Sequence, residues 1–376
     1  MENAGSKTPG IICFLIIRFL VAGFCFCLKS CKFVDKFIFV KVSVIIPCYN
    51  EELYISACLE SLLKGSFPTE QLEILVVDGG STDKTREFVF QLQKKHPQQL
   101  HWIENPRKKT PFALNLGIQK ALHPFILIAG AHAVYPADYL IRLTELIQGP
   151  EIDVVGGAIE TRVKNITPKT RAIQFVLSHR FGVGNSLFRI GADRLIDVDT
   201  VPFGLYKKEV FEIAGHYNEK LIRNHDMELS KRIKAAGFHI WMEPKLKVAY
   251  FARETFSGIA RNNFGNGFWN IRTLFITRKF SSLGIRHYIP LVFLLSLIIP
   301  LVFSLVFDGR FMFISLASFV LYLFFSIGIG IKNLKSINLY YLLQAFFVLH
   351  FSYGWGSLMG FFPEFGDKRK PENSKL

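Results

Sequence analysis

The sequence predicts an α/β fold, in which a mostly parallel sheet carries helices on both faces and transmembrane helices follow. Two observations predict it. From Val42 to about Met242, short apolar runs alternate with amphipathic stretches, which is the β-α-β-α order typical of parallel sheets. Beyond this region lie two uncharged runs of about twenty residues, which is enough to cross a bilayer core of about 30 Å.

The composition is too apolar for an ordinary soluble domain. Of 376 residues, 50% are hydrophobic and 38 are Phe, and the mean hydropathy is +0.27. The excess is concentrated in Tyr288–Phe307 and Phe311–Ile331, which we predict to span a membrane. A third run, Leu339–Phe361, either spans as well or forms a bent, re-entrant segment at its glycines. Near the other end, Ile11–Leu28 contains Arg18 and is more typical of an uncleaved anchor than of a signal peptide.

The net charge of +15 favours a protein that works at an anionic membrane surface. No nucleic-acid-binding module is recognisable, so we predict no nucleic-acid partner. Basic residues crowd beside the apolar runs and place the polar middle of the chain in the cytoplasm, as in an integral protein of a bacterial inner membrane. The six cysteines include no CxxC pair, which favours reduced thiols over a zinc site.

The elements of the middle region are predicted one by one from their patterns. Strands are expected at 42–46, 73–78, 100–103 and 125–129, and helices at 52–63, from Ser81 onward and at 111–122. The first strand ends in PCYNE and the second in DGGSTD, and ligands bind beyond such strand ends. Neither GxGxxG nor GxxxxGK[ST] follows the first strand, which excludes a dinucleotide or P-loop cradle. Taken alone, DGGSTD is more typical of a βα turn with an N-cap than of a binding site.

Eight stretches between Val42 and Asn270 carry a resemblance: VSVIIPCYNEE, ILVVDGGSTDKT, ALNLGIQKAL, AHAVYPADYL, VGGAIET, FGVGNSLFR, DTVPFGLYKKEVFEIAGHYNE and RNHDMELSKRIKAAGF. Through them the chain resembles the family 2 glycosyltransferases, and looks closest to the membrane-anchored branch that builds succinoglycan-type exopolysaccharides. The resemblance implies a GT-A nucleotide-sugar fold and sugar transfer with inversion at the anomeric carbon. It would divide the chain into an anchor and basic linker (1–36), a cytosolic GT-A domain (37–255), an interfacial amphipathic helix (256–286), two or three transmembrane helices (287–362) and a polar tail (363–376).

The resemblance also implies roles for single residues. Pro47, Tyr49 and Glu51 would contact the nucleoside of the donor, and Asp78 would hold its uracil or ribose. Asp226 stands at the position of the general base of the family, which takes the proton of the acceptor hydroxyl. On its own, Asp226 is equally typical of a helix N-cap.

One motif departs from the family. Members usually carry a DxD-like motif that holds Mg²⁺ or Mn²⁺ on the diphosphate, whereas here Gly130 replaces the first acid and His132 remains. His132 would hold the divalent metal alone among side chains, or Lys108, Lys109 or Arg223 would neutralise the diphosphate instead. A hydrogen-bonded strand-end histidine is the simpler alternative.

Phe264, Phe268, Ile271 and Phe275 recur at helical spacing and predict an interfacial helix. A Gln-x-x-Arg-Trp-like motif of the family reads NNFGNGFWN here, so only Trp269 is carried over as an acceptor-binding residue, against the alternative of a membrane-interface aromatic.

Together these observations predict an inverting glycosyltransferase that moves a sugar from a nucleotide-diphosphate donor, expected to be a UDP-sugar, to a lipid-linked (polyprenyl) saccharide. The product would be an exopolysaccharide or cell-surface glycan, with other polysaccharide-assembly proteins as partners. The alternative is a catalytically impaired, nucleotide-sugar-binding scaffold of such an assembly, which the replacement at Gly130 supports.

Overall fold

The computed structural model describes residues 40–362, and the structural statements below refer to them. The chain divides into two compact units, Met1–Lys41 and Val42–Leu376, and the elements described below belong to the second. The predicted anchor at Ile11–Leu28 and the predicted tail at 363–376 fall outside the described residues.

A nine-stranded sheet forms the centre of the second unit. Its strands are β1 (Val42–Cys48), β2 (Leu72–Asp78), β3 (Leu100–Glu104), β4 (Phe125–Ile128), β5 (Ala133–Val134), β6 (Val154–Arg162), β7 (Ile196–Asp197), β8 (Leu205–Lys207) and β9 (Ile240–Phe251). Their order is β3-β2-β1-β4-β8-β6-β9-β5, with β7 beside β9. The first four strands run parallel, and β8 is antiparallel to β4 and β6. The sequence pattern predicted β1 to β4, and β2 is buried along its whole length, as a parallel strand covered on both faces should be.

Helices connect these strands. They are α1 (Ile55–Leu63), α2 (Thr85–Gln93), α3 (Thr110–Lys120), α4 (Tyr139–Ile147), α5 (Pro168–Val176), α6 (Arg180–Val183), α7 (Leu187–Ile190), α8 (Lys208–Ala214) and α9 (His225–Ala235). The predicted starts at residues 52 and 81 were wrong by three and four residues, because the chain there forms two loops that bond to each other.

Four longer helices complete the chain: α10 (Phe256–Thr277), α11 (Ile289–Val306), α12 (Met312–Lys332) and α13 (Leu339–Met359). Within the described residues, two segments are long and apolar enough to cross a membrane, Ile285–Val306 and Gly309–Lys332, and only 11% of each is buried. They coincide with the first two predicted spans. The third run, α13, is one continuous helix, and its spanning or bent, re-entrant form stays a prediction.

The glycines of α13 serve helix packing. A Cβ atom at Gly356 would overlap the carbonyl of Phe264 on α10, so the two backbones touch. On α10, Phe268 and Ile271 are buried, while Phe275 is 51% exposed. Two of the four residues on the face that we predicted to lie at the membrane interface are therefore covered by protein.

Candidate active site

The loops after β1 and β2 are hydrogen-bonded to each other. The backbone N–H of Asn50 donates to Ser81 Oγ (2.9 Å), and that of Thr82 donates to Asn50 Oδ1 (2.9 Å). The N–H of Glu51 donates to Thr85 Oγ1 (2.7 Å), at the first residue of α2. Asn50 is left-handed (φ 55°), a conformation that Asn tolerates better than most residues. These bonds hold the two strand ends together and delay the start of α2.

Asp78 closes the turn of the second loop. Its buried carboxylate accepts from the backbone N–H groups of Gly80 and Ser81 (2.9 Å each) and from the Ser81 hydroxyl. The Cys48 thiol lies 3.6 Å away, and burial raises the pKa of that thiol, so it stays protonated. The structure thus shows the turn role that the sequence offered for Asp78, and its contact with a base or ribose stays a prediction.

Glu51 lies against His132. Its Oε2 is 2.8 Å from His132 Nδ1. The residue predicted to contact the nucleoside is therefore in contact with the residue predicted to hold the metal. The His132 ring packs edge-on against Tyr250, with centroids 6.3 Å apart. Pro47 and Tyr49 lie half-buried at the same strand end. A carboxylate at Nδ1 fixes the orientation of an imidazole ring, so Glu51 holds the ring of His132 in place.

An aromatic ring fills the place of the missing acid. A Cβ atom at Gly130 would lie 2.7 Å from Cε1 of Phe203, whose own backbone is left-handed (φ 51°). Tyr135 fixes both partners: its hydroxyl accepts from the Gly130 N–H (2.8 Å) and its ring packs on Phe203 (5.7 Å). In the part of the chain that the structure describes, no three His, Cys, Asp or Glu side chains form a metal-binding group. Mg²⁺ prefers about six oxygen ligands, whereas His132 offers a single nitrogen. The side chains here therefore do not fit a metal centre.

Asp226 lies in the first turn of α9. Its N-cap residue is Asn224 (φ 60°), so the N-cap interpretation of Asp226 was wrong. The Asp226 carboxylate is exposed and has no hydrogen-bond or ion-pair partner among residues 40–362, and it lies near the positive end of the helix dipole. Burial lowers the pKa of the neighbouring His225, whose Nδ1 has no hydrogen-bond partner in the described structure. At neutral pH this burial favours the neutral form of His225, which does not form an ion pair with Asp226.

A polar network ties the start of α9 to the C-terminal helices. Asn224 Nδ2 donates to Asn270 Oδ1 on α10 (2.6 Å), and the amide of Asn270 donates to the Tyr353 hydroxyl on α13. That hydroxyl lies 2.9 Å from Nδ1 of His287, just before α11. The position of Asp226 therefore depends on three elements outside the sheet.

A cavity of about 740 Å³ joins Asp226 to these helices. Its polar lining includes Asp226, Asn266 and Arg286, and its apolar lining includes Phe293, Leu321 and Phe325. The cavity thus combines one exposed carboxylate with apolar surface from α11 and α12.

The predicted acceptor residue Trp269 does not line this cavity. From α10 the lining comes from Asn262, Asn263 and Asn266, whereas the Trp269 ring packs edge-on against Phe268 (6.0 Å). The role of Trp269 stays a prediction. The asparagines belong to the altered NNFGNGFWN motif, so a search for polar residues one helical turn apart would have found them.

The sheet order and the paired strand-end loops define a GT-A-like α/β fold, the class of nucleotide-sugar transferases. The fold is shared with the mannosyltransferase PcManGT from Pyrobaculum calidifontis, solved in complex with GDP-Man and Mn²⁺. The TM-score is 0.57 at 16% identity, over 93% of this chain and 98% of that one.

Sequence comparison identifies the family. Residues 43–213 match the family model of Glycosyl transferase family 2. The dolichyl N-acetyl-alpha-D-glucosaminyl phosphate 3-beta-D-2,3-diacetamido-2,3-dideoxy-beta-D-glucuronosyltransferase of Methanococcus voltae is 30% identical over 60% of this chain and 71% of its own length. The succinoglycan biosynthesis protein ExoA of Rhizobium meliloti (strain 1021) is 30% identical over 66% of this chain and 74% of its own. The chain belongs to glycosyl transferase family 2 and is a glycosyltransferase.

Proposed function

We propose that this protein transfers a sugar, with inversion, from a UDP-sugar to a lipid-linked saccharide in the synthesis of an exopolysaccharide or cell-surface glycan. The cavity carries the proposal, because it places Asp226 and apolar side chains of α11 and α12 around one space. A polyprenyl chain requires apolar surface, whereas its sugar head requires polar groups and a base. The name of the Methanococcus relative, a transferase acting on a dolichyl-phosphate sugar, supports the same class of acceptor.

In the proposed reaction, the Asp226 carboxylate accepts the proton of an acceptor hydroxyl while the hydroxyl oxygen forms a bond to C1 of the donor sugar. The bond from C1 to the diphosphate oxygen breaks, and the nucleoside diphosphate leaves with the electron pair. Attack from the opposite face inverts C1. A carboxylate is a weak base, but it becomes effective as the attacking hydroxyl acidifies in the transition state.

The remaining roles follow from position. We assign Pro47, Tyr49, Glu51 and Asp78 to the nucleoside and Trp269 to the acceptor, as the family resemblance implies. The divalent metal predicted at His132 has no part in the proposed reaction, because the side chains there do not form a metal centre among the described residues; a metal titration tests that prediction. We place residues 37–255 on the cytoplasmic side, because basic residues gather just before α11; these are Arg272, Arg278, Lys279 and Arg286.

The test uses the full-length protein in detergent, a panel of radiolabelled nucleotide sugars and a polyprenyl-phosphate-linked sugar as acceptor. Label should enter the lipid fraction with one donor. The substitution Asp226→Asn should lower transfer by about 10²- to 10⁴-fold, the usual contribution of a general base, and leave nucleotide binding unchanged. Asp138→Asn, at an exposed aspartate before α4, is the matched control. Retained turnover in Asp226→Asn would remove Asp226 from the mechanism, and no nucleotide release with any donor would favour the scaffold.

A further inference from the structure

Two arginines, Arg189 and Arg223, interact with Tyr250 near the end of β9, and Arg223 also interacts with a third, Arg253. Arg189 places its guanidinium carbon 5.8 Å from the centre of the Tyr250 ring. Arg223 interacts electrostatically with both Arg253 and Tyr250, and burial together with the charge of Arg253 lowers the pKa of Arg223. We call Arg189, Arg223 and Arg253 the arginine cluster.

Among residues 40–362, no carboxylate forms an ion pair with the arginine cluster. Arg223 Nη1 donates to the amide oxygens of Asn262 and Asn266 (3.1 Å each), which carry no charge. No ion pair joins Arg189, Arg223 or Arg253 to a carboxylate within residues 40–362. Like charges that are partly removed from water destabilise each other unless an anion lies beside them. The arrangement therefore favours a bound anion.

The cluster lies between the donor loops and the cavity of Asp226. On one side, the Tyr250 ring contacts His132, which is paired with Glu51. On the other side, Arg189 lines the same cavity as Asp226. In the proposed reaction the leaving diphosphate must lie between the nucleoside and the Asp226 carboxylate, and the arginine cluster lies between the two.

The other candidate cations lie elsewhere. The Lys108 side chain lies against Gly80, with its Cε 3.3 Å from the position of a Cβ there, at the turn of Asp78 and hence at the nucleoside end. Lys109 is the exposed N-cap residue of α3. Of the three cations considered from the sequence, only Arg223 belongs to the cluster.

We propose that the arginine cluster binds the diphosphate of the donor nucleotide and takes the place of a metal held by a DxD motif. The proposal rests on the proposed function, since it names the group that receives the leaving diphosphate. Guanidinium groups bind phosphate oxygens in pairs of charge-assisted hydrogen bonds. Fixed positive charge at this point stabilises the leaving group as it gains electrons, which is the task that a metal performs in other phosphate sites. The ring of Phe203 against Gly130 leaves no room for the acid that such a metal would require.

The test measures binding to the full-length protein in detergent. UDP, GDP and TDP are compared, and the tightest of them is then titrated beside its parent nucleoside, in EDTA and in Mn²⁺. The nucleoside diphosphate should bind in EDTA. Arg223→Gln should weaken it by about 10- to 100-fold, as expected for lost charge-assisted bonds, and change nucleoside affinity less than twofold. Arg142→Gln, a surface arginine paired with Glu145, should change neither.

The outcomes of this test distinguish the inference from the proposed function. Unchanged nucleoside affinity shows that Arg223→Gln is folded, and Arg253→Gln replaces it if nucleoside binding is lost. Binding of the diphosphate that requires Mn²⁺ and ignores the arginine substitutions overturns the inference while leaving the proposed function in place. Failure of every nucleoside and diphosphate to bind contradicts the proposed function itself, and the inference with it.

Discussion

Gly130 and Phe203 form a pair whose fit can be tested directly. Gly130→Ala adds a single methyl group, and its carbon would lie 2.7 Å from Cε1 of Phe203. Carbon atoms in contact lie about 3.5–4.0 Å apart, so the ring must retreat by about 0.8 Å or more. The ring cannot retreat freely, because it packs on Tyr135 and its residue has a left-handed backbone.

Overpacking of this kind costs about 1–3 kcal/mol. For a domain of 150–250 residues, each kcal/mol lowers Tm by about 2–4 °C. Gly130→Ala should therefore lower the apparent Tm in detergent by several degrees, as followed by tryptophan fluorescence. Gly309→Ala is the control, since no atom lies within 4 Å of its Cβ position.

A double-mutant cycle separates the contact from other effects. With Phe203→Ala in the background, the clash is gone and Gly130→Ala should cost less than about 0.5 kcal/mol, as at an uncrowded site. An equal loss of stability in both backgrounds would refute the reasoning. For the same reason, Gly130→Asp alone should not create a metal site, because the ring occupies the space of the new carboxylate.

Two further predictions concern packing and pH. Gly356→Leu should prevent folding of the detergent-solubilised protein, because α10 and α13 touch at this residue, whereas Gly328→Leu, with open space at its Cβ position, should elute as a single peak in size-exclusion chromatography. Burial lowers the pKa of His225 in the folded state. Below about pH 6.5 the unfolded chain therefore binds a proton at His225 that the folded chain does not bind, and the free energy of unfolding decreases as the pH decreases. His225→Gln should flatten part of that fall in Tm measured from pH 7 to pH 5; an unchanged slope would show that His225 does not contribute.

The sheet and its first loops were predictable because their signals are local. The apolar runs of β1 to β4 and the PCYNE and DGGSTD loops are visible in consecutive residues, and parallel strands bring their carboxyl ends to one edge. The helix starts were missed because Ser81 to Asp83 resemble caps but bond across to the first loop, a contact that no local pattern reveals.

The environment of the site depends on distant contacts. Phe203 is more than seventy residues from Gly130 in the sequence. Its backbone is left-handed, which a Phe in the sequence does not indicate. Arg189, Arg223 and Arg253 come from three different segments, so no local pattern in the sequence reveals that they interact. The general-base position of Asp226 came from resemblance, and the structure adds its open carboxylate and its cavity but does not test the role.

The hydrogen bonds from Asn224 through Asn270 to Tyr353 limit how this enzyme can be studied. A fragment that ends after α10, made for easy expression in water, would lack Tyr353 and expose the face of α10 that α13 covers. In such a fragment the loop before Asp226 would be misplaced. A lack of transferase activity in the fragment would therefore not show that the intact enzyme is inactive. Kinetic work should therefore begin with the whole chain in a lipid or detergent environment.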